Sequence, residues 1–157
     1  MPSRRMAFAA AAAFGASSAL ALLPPRRAEA AACESDRSAA NAALLERYVA
    51  AVNGSDPAAR RDIFAEPYIQ HGGIKGLRDV FSDIHVTVED RIIDGDKVVA
   101  RNTWTGTHRG AFLGIEPTGK QVSFNTIDIW RVEGGKFAEH WDVIDIAGLQ
   151  KQLRGGA

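Results

Sequence analysis

The sequence predicts an α+β fold, a cone-shaped curved antiparallel sheet covered by about three N-terminal helices. Three observations carry this. Apolar residues recur at helical spacing as far as Phe81. From His85 they alternate with a period of two. Glycine-bearing turns, "DGD" and "EGG", then punctuate the alternating stretches. One face of such a sheet cannot stay dry alone, so the helices must lie over it.

The start of the chain is of another kind. "MPSRRMAFAAAAAFGASSALALLPPRRAEAAA" puts Arg4 and Arg5 ahead of an apolar run from Met6 to Leu23, with small residues at Ala28 and Ala30. That order predicts an export signal over residues 1–30, and the arginine pair fits the twin-arginine type. The remaining 31–157 then form a single domain, periplasmic or secreted, with no membrane attachment after cleavage. An uncleaved anchor is the alternative, since the run is near the ~18–20 apolar residues needed for spanning. Its alanine content argues against that. Cys33 is the lone cysteine, so no internal disulfide forms.

Composition bounds the partners. The chain has 157 residues, with Lys+Arg and Asp+Glu both at 19. Residues 1–30 hold Arg4, Arg5, Arg26, Arg27 and Glu29, so the remainder has 15 basic and 18 acidic residues. Nucleic acid is disfavoured as a partner, because phosphate binding needs a basic excess.

The helices come first. Asp36 or Ser38 caps a helix to about Asn53, with Leu44, Leu45, Tyr48, Val49 and Val52 as its apolar stripe. Asn53-Gly54 ends it. Pro57 opens a second, short helix that Glu66-Pro67 stops. Ile74, Leu77, Val80 and Phe81 suggest a third.

Four strands follow as a meander. "HVTVEDRII" turns through Gly95 into "KVVARNTWTGTH", and "QVSFNTIDIWRV" turns through "EGG" into "KFAEHWDVIDI". The "EGG" turn admits two registers. A two-residue loop pairs Glu133 with Lys136. A three-residue loop, the favoured reading, pairs Val132 with Lys136 and even positions with even ones. Val122, Phe124, Thr126, Asp128 and Trp130 then share the inner face with Ala138, His140, Asp142 and Ile144, and Asp128 faces His140. Val98, Ala100, Asn102 and Trp104 extend that face. Two carboxylates and a histidine on an apolar surface are costly unless they serve one another or a ligand.

"GTHRG" at Gly106 to Gly110, "PTGK" at Pro117 to Lys120, and "EHWDVID" followed by "GLQKQL" resemble the SnoaL-like polyketide cyclases and related ester cyclases, cones of the nuclear-transport-factor-2-like kind. The resemblance is close from Val86 to Leu153. It implies ring closure by intramolecular aldol condensation without a cofactor, with Asp142 as acid/base. Asp128 stands where some members carry a histidine, and His71 matches a histidine at the pocket rim. Aldol closure and isomerisation both need a base for a proton α to a carbonyl and donors for the enolate. Asp142, Asp128 and His140 are therefore the expected catalytic set. His71, Asn102, Trp104, Phe124 and Trp130 are the expected substrate contacts, with Asn102 and Trp104 as donors.

Other chemistries find less support. No HxH or HExxH spacing marks a metal site, and no serine sits in a GxSxG turn. A non-catalytic module binding an apolar small molecule remains the alternative, because one fold hosts many functions. Ile127, Ile129, Trp141 and Val143 would make an apolar outer face, which predicts a homodimer.

Overall fold

The computed structural model describes residues 25–54, 57–74 and 76–155. The apolar run of the expected export signal lies outside them. Helix α1 (Pro25–Asn53) leads into a 3₁₀ turn at Pro57–Arg60 and strand β1 (Phe64–Gln70). The single turn α2 (Leu77–Val80) precedes β2 (His85–Asp94), β3 (Lys97–Thr107), β4 (Gln121–Glu133) and β5 (Lys136–Ile144). Helix α3 (Ile146–Arg154) ends the described chain.

The five strands form one curved sheet in the order β1-β5-β4-β3-β2. The meander is antiparallel, as its hairpin turns require. β1 adds a strand parallel to β5, so the sheet is mixed rather than wholly antiparallel. Glu66-Pro67 therefore sits inside a strand rather than ending a helix. Proline is tolerated there because β1 is an edge strand, where a missing N–H breaks no central ladder.

The register at "EGG" also differs from the favoured reading. Gly134 and Gly135 both have positive φ, at 58° and 74°, and make a two-residue turn that pairs Glu133 with Lys136. The ladder then shifts between Arg131 and Val132, leaving Ala138 as the extra residue on β5. That bulge flips the parity, so even positions still pair with even ones. Asp128 therefore faces Asp142, and Trp130 faces His140.

Alternation along β4 is complete as far as Trp130: Val122, Phe124, Thr126, Asp128 and Trp130 are buried and the odd positions from Gln121 to Ile129 are exposed. Helix α1 covers this face, packing mainly on β2. Leu44, Leu45 and Val52 of its stripe are buried, and Tyr48 and Val49 half-buried. Asn53 locks its end to the sheet, donating to Val86 O at 2.9 Å and accepting from Val86 N at 2.7 Å. One apolar cluster gathers on Phe81, Trp104, Phe124 and Leu149, a second on Leu44, Ile63, Trp130 and Phe137. Tyr48 packs against both.

α3 closes the Leu149 end. Asp145 caps it by accepting from Gly148 N at 2.9 Å. Lys120 Nζ donates to Gln152 O and Leu153 O at its other end.

Candidate active site

Between the two clusters lies a cavity of about 650 Å³. Its walls include Tyr48, Val52, Phe64, Tyr68, Trp104, Phe124 and Ile144. Asp128, His140 and Asp142 reach it from β4 and β5, because the bulge at Ala138 keeps their shared parity inward.

Asp128 is buried at 3% exposure and saturated with donors. Oδ2 accepts from Asn102 Nδ2 at 2.7 Å and from the Thr126 hydroxyl at short range. Oδ1 accepts from His140 Nε2 at 2.8 Å. The donor order follows from the groups present. An indole can only donate, so Trp104 Nε1 donates to Thr126 Oγ1 at 2.9 Å, leaving the Thr126 proton for Asp128. A carboxylate accepts, so Nε2 of His140 carries the proton. The imidazole is fixed from its face by Trp130, with ring centroids 5.0 Å apart at 11°.

Asp142 is the contrast. It is half-buried, and its Oδ1 is enclosed without a hydrogen-bond partner among the described residues. Burial raises its pKa above the ordinary value; nearby His140 opposes the shift and Asp128 adds to it. The turn after β1 encloses it, since a Cβ at Gly72 would lie 2.6 Å from Asp142 Oδ1.

Of the expected substrate contacts, Trp104 and Phe124 line the cavity. Asn102 and Trp130 lie behind the lining, each 1% exposed. The Trp104 indole N–H is taken by Thr126, and Asn102, which donates to Asp128, does not line the cavity, so neither is the expected enolate donor in this arrangement. His71 is not at a cavity rim. Its ring stacks on Trp141 with centroids 4.6 Å apart, and Nε2 lies 3.1 Å from Glu139 Oε2. Those partners occupy the odd positions of β5, which face outward, so His71 belongs to the outer surface.

Two tyrosines, Tyr48 and Tyr68, also line the cavity. Burial raises the pKa of Tyr48, and also that of Tyr68, where hydrogen bonding to Trp130 opposes it. Both phenols stay protonated at neutral pH. Tyr48 was legible only as part of a helical stripe. Tyr68 was hidden because "EPYIQH" reads as a helix stop and loop. His108, outside the cavity, holds the loop before β4: its Nδ1 accepts from Thr118 N at 3.1 Å.

Among the described residues, no group of His, Cys, Asp and Glu is placed to hold a metal ion. No helix among them is long and apolar enough to cross a membrane.

The family model for SnoaL-like polyketide cyclases matches residues 42–153. The chain belongs to this family. TsrD from Streptomyces laurentii is 35% identical, with a TM-score of 0.65 over 73% of this chain and 95% of its own. AclR from Streptomyces galilaeus is 28% identical, with a TM-score of 0.65 over 75% of this chain and 83% of its own. IdmH from Streptomyces antibioticus shares the fold at 24% identity and a TM-score of 0.62, over 72% of this chain and 97% of its own. No curated protein sequence matches significantly. In this chain Asp142 pairs with a second carboxylate, Asp128, on the adjacent strand.

Proposed function

We propose that the protein is a cofactor-independent acid/base enzyme acting on an apolar carbonyl compound, as an aldol-type cyclase or isomerase. The observation that carries this reading is the asymmetry between the facing carboxylates. Asp128 spends its charge on three donors, whereas Asp142 has an enclosed, unpartnered oxygen beside the cavity. A desolvated carboxylate with a raised pKa is a stronger base, better matched to taking a proton α to a carbonyl.

In this reading Asp142 removes the α-proton, and a phenol of Tyr48 or Tyr68 donates to the enolate oxygen that forms. The enolate carbon then attacks a second carbonyl of the same molecule, held close by the cavity walls. The protonated Asp142 returns its proton to the new alkoxide, which completes the cycle without net change in the enzyme. Asp128 and His140 position the floor of the site.

Family membership supports the cyclase class. Export and a homodimer belong to the same proposal. The described α1 residues before Asn41 are exposed or half-buried, so cleavage after Ala30 would remove no core side chain among them. Exposed Ile127 and Val143 give a second copy an apolar strip to cover.

The test uses 2-tetralone, a bicyclic ketone with acidic α-hydrogens. Proton NMR in D₂O follows exchange of those hydrogens. The wild type accelerates exchange, and Asp142→Asn reduces the acceleration by roughly 10²-fold or more. Binding of the ketone by both proteins without acceleration by either would instead identify a non-catalytic binding module.

A further inference from the structure

The cavity lining holds a second polar group that the acid/base reading does not use. Arg60, Arg61 and Arg78 all contribute to it, from the 3₁₀ turn, the segment after it and α2. Arg61 and Arg78 are exposed, which places this basic cluster where the cavity meets solvent.

Arg78 is anchored by its backbone contacts. Its Nη2 donates at short range to Val52 O and at 3.3 Å to Gly54 O, the last carbonyls of α1 and its cap. None of those acceptors carries a full negative charge. Arg60 is half-buried and its guanidinium makes no ion pair or side-chain hydrogen bond among the described residues. Glu66 also lines the cavity, yet forms no ion pair with any of the three arginines. Arg60 thus sits against apolar walls and beside a like charge, and both lower its pKa, burial first and Arg78 second. A cation held in this way gains most from an incoming anion, because a guanidinium offers paired donors to an oxyanion in one plane.

We propose that Arg60, backed by Arg78, is a subsite for an oxyanion on the substrate, so that the carbonyl compound carries a carboxylate or a phosphate. This rests on the acid/base reading for the nature of the reacting half and adds the charged half. The anion docks at the open end, and the apolar skeleton extends toward Phe124 and Trp104. A neutral substrate would leave the Arg60 charge uncompensated after its water is displaced, a cost that selects against the ester or alcohol of the same skeleton.

The test is equilibrium binding, read by calorimetry at low ionic strength with three probes of one skeleton: 2-naphthoate, 2-naphthyl phosphate and methyl 2-naphthoate. The wild type is expected to bind at least one anion about tenfold or more tightly than the ester. Whichever anion binds tighter assigns the group as carboxylate or phosphate. Arg60→Gln abolishes the preference, while Arg60→Lys keeps part of it. If Arg60→Gln fails to fold, the wild type still decides, since added salt must erase the preference. Equal binding of ester and anions, no binding of either anion, or a preference that survives Arg60→Gln overturns the subsite. No turnover is measured, so a failed α-proton exchange assay sinks the acid/base reading without touching this one.

Discussion

Asp128 and Asp142 face each other directly across β4 and β5, yet one is saturated with hydrogen bonds and the other has an enclosed oxygen without a partner. Facing carboxylates on an inner sheet surface repel unless their surroundings divide the labour. Here Asn102, Thr126 and His140 converge on Asp128 alone. The division leaves Asp142 free to be the base of the proposed reaction.

Asp142→Asn should therefore keep or raise stability while losing activity. The folded pKa of Asp142 is raised above its unfolded value, so the native state holds the proton more firmly. Stability from this group is fully present below the unfolded pKa and is lost as pH rises through the folded one. Melting curves of wild type and variant across that window should show the wild type falling relative to Asp142→Asn. A gap that widens in favour of the wild type as pH rises contradicts the assignment.

Asp128→Ala should behave in the opposite way. It strands three buried donors, with an expected cost of about 3 kcal/mol or more. Urea unfolding measures it. A loss below about 1 kcal/mol would mean that the network is dispensable.

Two glycines separate site from scaffold. A Cβ at Gly72 would press on Asp142 Oδ1, a side chain that can move, so Gly72→Ala should impair α-proton exchange and leave the melting temperature near wild type. A Cβ at Gly110 would lie 2.3 Å from the backbone oxygen of Asp79, which cannot yield cheaply, so Gly110→Ala should lower the melting temperature. Equal effects of both substitutions on both readouts would show that the turn carrying Gly72 does not shape the site.

The outer face gives a prediction about assembly. Light scattering at micromolar concentration should report twice the chain mass. Val143→Lys, at a residue 73% exposed, should shift it toward the monomer. A wild-type monomer would leave the apolar strip without its proposed cover.

The inward set on β3 and β4 was legible because a period of two survives in the sequence wherever one face is buried. Val98, Ala100, Asn102 and Trp104 show it as clearly as Phe124 to Trp130 do. The pairing of Asp128 with Asp142 was not legible, since it depends on the bulge at Ala138, and an unmarked alanine gives no signal of an extra residue. β1 was hidden by Pro67, which reads as a stop in a helix but is compatible with an edge strand. The outward side taken by His71 is not legible for a related reason: which side a residue just past a strand takes is set by pairing to β5, not by local sequence. Helix α3 is short and depends on the Asp145 cap and on Leu149 and Leu153 packing below the sheet.

The most direct test is a carbon-13 NMR titration of the aspartate side-chain carboxyls, with Asp142 assigned by its absence in Asp142→Asn. Asp142 is expected to titrate above the ordinary aspartate value of about 3.9. Titration at or below that value would show a solvated or paired carboxylate, and Asp142 would then be no base.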